Sequence, residues 1–180
     1  MLKHLPRFAA ATAAAAIGLS ASFAATPAPA ISFTALDGTE LALEDWRGQP
    51  VLVVNTASLC GFTRQYDDLQ AMHERFGPRG LVVLAVPSDD FRQELGSDAE
   101  VAEFCEVNFG LTIPITRITP VLGADAHPFY RWLADEHGVR PSWNFNKALI
   151  GPEGDLQGFW GATTRPTARP ITRAIEAALD

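Results

Sequence analysis

The stretch Val51-Leu-Val-Val-Asn-Thr-Ala-Ser-Leu-Cys-Gly-Phe-Thr63 determines how the rest of the chain is interpreted. Its apolar run, Val51 to Val54, is typical of a buried strand, and from Arg64 the pattern becomes helical. Cys60 therefore lies in the turn between a strand and the start of a helix. Unpaired N–H groups and the helix dipole favour an anion there, which for a cysteine is the thiolate. Cys60 is accordingly either a reactive nucleophile or one half of a structural disulfide.

The N-terminus has the pattern of a secretory signal peptide. Residues 1–24 combine a basic start, an alanine-rich apolar run and the cleavage sequence Ser22-Phe23-Ala24, with Ala25 as a second choice for the cleavage site. The apolar run is short for a membrane span, which disfavours an uncleaved anchor. Residues 25–30 form a short Ala/Pro leader, and residues 31–180 have the length of one domain. We expect a periplasmic or secreted protein with no stable membrane span after cleavage.

The charge balance excludes some classes of partner. The full chain has a net charge of −7, and without Lys3 and Arg7 twelve basic residues face 21 acidic ones, a net charge of −9. An acidic domain of this kind is not expected to bind nucleic acid or anionic lipid surfaces. The two cysteines, Cys60 and Cys105, both lie after the signal peptide, and in an exported protein such a pair is a candidate disulfide.

The remaining pattern predicts an α/β fold of the thioredoxin-like type, with a central mixed sheet flanked by helices. The first strands and helices alternate, which implies parallel pairing with helical crossovers, and a late hairpin adds antiparallel strands. The predicted elements are a hairpin around residues 36–39, strands over 51–54, 81–86 and 112–118 (the last interrupted by Pro114), helices over 64–76, 97–110, 128–137 and 170–179, and a hairpin over 148–160.

Cys60 has no second cysteine close to it in the sequence. The chain has no Cys-x-x-Cys pair, which disfavours a plain disulfide oxidoreductase. A lone thiolate is suited to attack on an electrophile such as a peroxide, and the departing oxygen then needs a proton from neutral N–H donors. Gln93, Trp143 and Asn144 are candidate donors because their loops adjoin the ends of predicted strands, although periodicity alone does not single them out.

Several separated motifs resemble those of the glutathione peroxidase family, in the same order and over nearly the whole predicted domain. They are Val54-Asn-Thr-Ala-Ser-Leu-Cys-Gly-Phe-Thr-Arg-Gln-Tyr66, Gly80-Leu-Val-Val-Leu-Ala-Val-Pro87, Phe91-Arg-Gln-Glu94, His127-Pro-Phe-Tyr130, Trp143-Asn-Phe-Asn-Lys147 and Thr163-Thr-Arg-Pro166.

The resemblance implies a role for each candidate. Cys60 matches the peroxidatic position, and Gln93, Trp143 and Asn144 match the rest of a catalytic tetrad. Cys105 resembles the resolving cysteine of two-cysteine members, although a buried core residue is the alternative.

The implied reaction is thiol-dependent reduction of hydrogen peroxide and organic or lipid hydroperoxides, with an external thioredoxin-like reductant or glutathione and no bound cofactor. The short segment 133–143 resembles that of monomeric members. The histidines share no ligand spacing, so we expect no metal site.

The sequence departs from the family pattern at Asp89 and Asp90, and two other functions are consistent with its cysteines. Asp89 and Asp90 replace neutral residues of the family pattern and would oppose thiolate formation if they face Cys60. The chain could instead be a peroxide sensor that relays its disulfide to a partner, or a structural domain with a permanent Cys60–Cys105 bridge.

Overall fold

The computed structural model describes residues 27–180, so the predicted signal peptide lies outside the described residues. In chain order the elements are β1 (Ser32–Thr34), β2 (Glu40–Ala42), β3 (Val51–Thr56), α1 (Gln65–Phe76), β4 (Val82–Pro87), α2 (Asp98–Phe109), α3 (Pro128–His137), β5 (Lys147–Ile150), β6 (Leu156–Trp160) and α4 (Arg169–Leu179). Short 3-10 turns occupy Leu43–Trp46 and Gly77–Arg79. Within this part of the chain, none of the helices is long and apolar enough to cross a bilayer.

The central sheet is mixed, with strand order β4-β3-β5-β6. Strands β3 and β4 are parallel, whereas β5 runs antiparallel to both β3 and β6. Residue Val54 pairs with Ala85 on one side and with Lys147 on the other. The carboxyl ends of β3 and β4 therefore share one edge of the sheet with the amino end of β5, and the loops at that edge form a common surface.

The side chains of β3 point alternately to the two faces of the sheet and divide the core into two layers. Leu52 and Val54 pack with residues of α1, α2 and α4 on one face of the sheet. Val51 and Val53 pack with the β1–β2 hairpin and α3 on the other. Successive side chains of a strand point to opposite faces, so a continuous apolar run is what a strand covered on both sides requires. The predicted α/β fold with a mixed sheet and helices on both faces is confirmed.

The predicted strand over residues 112–118 is wrong. Within the described part of the chain, this segment forms only two isolated bridges, Ala35 with Thr116 and Ala85 with Ile115. Pro114 has no N–H to donate, so the segment borders β4 through the bonds on either side of Ala85 alone: Ala85 N to Pro114 O at 3.0 Å and Thr116 N to Ala85 O at 2.9 Å. The other predicted elements lie within a few residues of their observed bounds.

His127 caps the amino end of α3 as a neutral imidazole. Its Nδ1 accepts the N–H of Phe129 at 3.3 Å, so Nε2 carries the proton and donates to Ser32 O at 3.0 Å. The ring also stacks on Phe33, with the two ring centroids 4.1 Å apart. Burial lowers the pKa of His127; the bond to Ser32 opposes this effect and the nearby Arg131 adds to it.

The lowered pKa predicts a pH-dependent contribution to stability. A group whose folded pKa lies below its unfolded value of about 6.5 stabilises the fold fully above that value and loses this contribution as the pH falls through the folded pKa. We expect His127→Asn, which keeps an acceptor at the cap, to lose less unfolding free energy than the parent between pH 7.5 and 5. Urea midpoints at the two pH values measure this, and equal pH dependence in both proteins would contradict it.

Candidate active site

The predicted site residues lie on loops that meet at one edge of the sheet. The loop after β3 carries Cys60, the loop after β4 carries Gln93, and the turn before β5 carries Trp143 and Asn144. The pairing of Val54 with both neighbouring strands brings these three loops to the same edge. Ligand sites of open α/β sheets lie at the carboxyl ends of the parallel strands.

Cys60 lies in the turn between β3 and α1, as predicted, and is 4 % exposed. Helix α1 begins only at Gln65, and the intervening residues form tight turns, with Thr63 N donating to Cys60 O at 3.1 Å. The N–H of Phe62 points at Cys60 Sγ, with a nitrogen–sulfur distance of 3.5 Å. A backbone donor aimed at the sulfur can share the negative charge of a thiolate.

Gln93 and Asn144 form a pair that is attached to the cysteine loop. Gln93 O accepts the N–H of Leu59, the residue before Cys60, at 2.8 Å. Asn144 Nδ2 donates to Gln93 Oε1 at 3.0 Å, and Asn144 is fully buried. Because the oxygen of the Gln93 amide is occupied, its NH2 group is the end that remains for a ligand. The pair therefore presents a neutral N–H donor beside the cysteine loop.

Trp143 is half-exposed, at 40 %, and its ring packs on Phe91 with the ring centroids 5.3 Å apart. Its carbonyl oxygen accepts Nδ2 of Asn55, at the end of β3, at 2.9 Å. Asn55 Oδ1 in turn accepts the N–H of Asn146 at 3.0 Å. Phe145, between Asn144 and Asn146 in the sequence, has a φ of +61°, a conformation that non-glycine residues seldom adopt. The turn that presents Trp143 and Asn144 is thus clamped to the strand that presents Cys60.

The model of the glutathione peroxidase family matches residues 30–134, more than half of the chain. The chain belongs to the glutathione peroxidase family. The hydroperoxy fatty acid reductase of Synechocystis sp. is 40 % identical to it over 75 % of this chain and 86 % of that protein. The crystal structure of Trgpx in its apo form is 33 % identical, with a TM-score of 0.67 over 86 % of this chain and 97 % of that one.

The thioredoxin-like fold is confirmed separately. A thioredoxin family protein from Chlorobium tepidum, a thiol:disulfide interchange protein, superposes with a TM-score of 0.64 over 89 % of this chain and all of that one, at 18 % identity. Membership of the glutathione peroxidase family makes the chain a thiol-dependent peroxidase, with a thiol co-substrate in place of a bound prosthetic group. Residues 27–180 hold no group of three or more His, Cys, Asp or Glu that would suit a metal ion.

Glu94 is a site residue that sequence reasoning missed. Its Oε1 accepts the N–H groups of Ser58 at 3.0 Å and Leu95 at 2.9 Å, so one buried carboxyl joins the cysteine loop of this glutathione peroxidase to the segment leading into α2. Burial raises the pKa of Glu94, and its hydrogen bonds partly oppose that effect. Its position beside Gln93 in a polar loop gave no signal that it turns inward.

A second unpredicted contact fixes the first turn of α1. The Nζ of Lys147 is buried and donates to Gln65 Oε1 at 2.5 Å, Thr164 O at 2.7 Å and Ala162 O at 3.3 Å. Burial lowers the pKa of Lys147 to about 7, against the opposing charge of Asp68. These bonds join the start of α1, and with it the cysteine loop, to the segment Thr163-Thr-Arg-Pro166 of the family pattern.

The two added carboxylates, Asp89 and Asp90, have backbone partners. Asp89 Oδ1 accepts the N–H of Glu94 at 3.1 Å, and Asp90 Oδ2 accepts those of Val121 at 2.6 Å and Leu122 at 2.8 Å. They therefore hold the Gln93 loop in shape and attach it to the segment before α3.

Cys105 lies on α2 and is 1 % exposed, in the same core cluster as Cys60 and Tyr66. Burial raises the pKa of Cys105 to about 11; the hydroxyl of Tyr66 opposes this effect and Glu94 adds to it. Both cysteines are free thiols in this structure. At neutral pH the Cys105 side chain is therefore protonated and inaccessible to solvent.

Proposed function

We propose that Cys60 is the peroxidatic cysteine of this glutathione peroxidase and that Gln93, Trp143 and Asn144 complete its catalytic site. The observation that carries the proposal is the hydrogen-bonded connection from Leu59 through Gln93 to Asn144, which holds amide donors next to the cysteine loop. A structural cysteine has no use for such donors.

The reaction at Cys60 balances without a cofactor. The thiolate attacks one oxygen of the hydroperoxide and the O–O bond breaks, so the sulfur is oxidised to sulfenic acid while the peroxide is reduced to an alkoxide or hydroxide. The leaving oxygen takes a proton and departs as alcohol or water. The N–H of Phe62 and the NH2 of Gln93 stabilise the charge on sulfur before attack and on oxygen afterwards.

We further propose that Cys105 resolves the sulfenic acid. Its thiol attacks the Cys60 sulfur, a disulfide forms, and the hydroxyl leaves as water with the thiol proton. The two side chains share one core cluster, and α2 itself buries only Val101 and Cys105. Exposure of the Cys105 thiol requires α2 to open locally and to release Phe104 and Phe109, which pack partly buried against the same cluster.

Cys105→Ser tests this step. We expect turnover with a thioredoxin-type donor to fall by roughly tenfold or more, because an external thiol lacks the high effective concentration of an intramolecular one. Formation of the Cys60 sulfenic acid in a single turnover stays intact. Mass mapping after one equivalent of peroxide should find the Cys60–Cys105 disulfide in the parent, and unchanged turnover in the variant would contradict the role.

The sensor interpretation uses the same cysteines and differs in recycling. A sensor would oxidise rapidly in a single turnover but show slow steady-state consumption of peroxide with any soluble dithiol. The ratio of the two rates separates the interpretations.

We also propose that the enzyme works as an exported monomer with a thioredoxin-like reductant and accepts organic hydroperoxides as well as hydrogen peroxide. The sequence of residues 1–24 supports export. Trp143 is half-exposed and Leu59, which precedes Cys60, is exposed, so both offer apolar side chains that suit organic substrates. Fractionation of expressing cells, with the N-terminal mass of the mature chain, tests export, and sedimentation tests the monomer.

A further inference from the structure

An apolar groove of about 620 Å³ runs along α3 beside the proposed catalytic site. Its lining includes Tyr130 and Ala134 of α3, Phe91 in the loop after β4 and Leu122 in the segment before α3. The volume lies within the range of roughly 300–1,000 Å³ that small-molecule sites occupy. The reaction at Cys60 makes no use of this groove.

The groove adjoins Trp143, one of the proposed catalytic residues. Phe91 lines it and packs on the ring of Trp143, and Ser142, the residue before Trp143, lines it as well. Trp143 is connected to β3 through Asn55, and Asn144 reaches the cysteine loop through Gln93. A molecule in the groove therefore has one end against the Phe91–Trp143 contact.

Two unpaired guanidinium groups lie along the groove. Arg131 and Arg140 both line it, and within residues 27–180 no carboxylate forms an ion pair with either of them. Arg131 is held in place because its Nη1 donates to Ala126 O at 2.6 Å. Asp135, one helical turn after Arg131, is the acidic residue among the lining groups. The groove is thus apolar with a small excess of positive charge, in a chain whose net charge is strongly negative.

We propose that this groove binds the acyl chain of a free fatty acid hydroperoxide, with the carboxylate at Arg140 and Arg131 and the hydroperoxy group beyond Trp143 at Cys60. The inference rests on the proposed role of Cys60 and adds a substrate subsite to it. Apolar side chains along the groove remove the hydrocarbon from water, and a guanidinium matches a carboxylate in shape and charge. Hydrogen peroxide gains nothing from such a groove.

Substrate kinetics test the two halves of the subsite separately. For Ala134→Trp, which fills the groove, we expect the ratio of kcat/KM for linoleic acid hydroperoxide to that for hydrogen peroxide to fall about tenfold or more. For Arg140→Gln we expect this ratio to fall about fivefold for the acid but to change little for its methyl ester. Asp135→Asn should raise the ratio for the acid, because it removes the opposing charge. Arg173→Gln, an exposed arginine on α4, is the matched control.

Binding of oleate supplies a readout that does not depend on catalysis. Calorimetry below the critical micelle concentration should show oleate bound by the parent and by Cys60→Ser alike, about tenfold more weakly by Ala134→Trp, and as in the parent by Arg173→Gln. Equal binding by Ala134→Trp, or equal loss of acid and ester activity in Arg140→Gln, would overturn the subsite while leaving Cys60 chemistry intact. Loss of the proposed function would instead show as peroxide consumption that does not require Cys60.

Discussion

Replacing Cys60 with serine is expected to reduce hydroperoxide consumption with a thioredoxin-type donor by at least about 10³-fold. A serine hydroxyl stays protonated at neutral pH and cannot attack the O–O bond, whereas a thiolate is an intrinsically strong nucleophile. The side chain is almost fully buried and differs by a single atom, so the fold should persist. Steady-state consumption of hydrogen peroxide measures the loss of activity, and the urea midpoint measures whether the fold persists.

The control for this variant is Cys105→Ser, which removes the other thiol. A chain with Cys60 alone should still form one sulfenic acid per molecule, detectable by a dimedone adduct, whereas a chain with Cys105 alone should form none. A dimedone adduct on Cys105 in the Cys60→Ser chain, or turnover close to that of the parent, would exclude the assignment of Cys60.

Asn144→Ala is expected to lower kcat/KM for hydrogen peroxide by roughly 10² to 10³-fold, the usual cost of losing one preorganised donor group. The substitution removes the Nδ2 group that bonds Gln93 Oε1 and so frees the Gln93 amide to rotate. The NH2 of Gln93 then loses the orientation that this bond fixes. The second-order rate of Cys60 oxidation in a single turnover is the direct measurement.

Gln157→Ala, which removes an exposed amide on β6, is the matched control for Asn144→Ala and should leave that rate unchanged. Unfolding midpoints distinguish loss of positioning from loss of fold, because Asn144 is buried and its removal leaves space in the turn. A rate within threefold of the parent, with the fold intact, would show that the Gln93–Asn144 pair does not contribute to the chemistry.

Strands and helices are predictable where a short stretch of sequence determines them. The continuous apolar runs at Val51 and Leu81 marked buried strands, and the Ser97 cap marked the start of α2, where Ser97 Oγ accepts the N–H of Glu100 at 3.3 Å. The prediction of a strand over residues 112–118 is wrong because it used composition alone. The apolar composition is typical of a strand, but a strand also needs a neighbour with free hydrogen-bonding groups and an N–H that Pro114 lacks.

The candidate site depends on contacts between distant segments, which local patterns do not encode. The place of Cys60 between a strand and a helix indicates a reactive thiolate, whereas Gln93 and Asn144 are identified only by the family resemblance. The inward turn of Glu94 and the pairing of Asp68 with Arg165, at 2.7 Å for both bonds, had no signal in periodicity. Polar residues are expected at the surface, so only the tertiary structure identifies those that are buried and paired.

The buried Lys147 has a further consequence for how the protein reacts with other molecules. Lys3 and Lys147 are the only lysines of the chain, and Lys3 falls within the predicted signal peptide. In a mature chain cleaved after Ala24, the α-amino group would be the sole primary amine at the surface, since the exposed cations are arginines. Acylating dyes, amine cross-linkers and reactive aldehydes would then modify a single position. The folded protein would accept one label at its N-terminus, and unfolding would reveal the second amine.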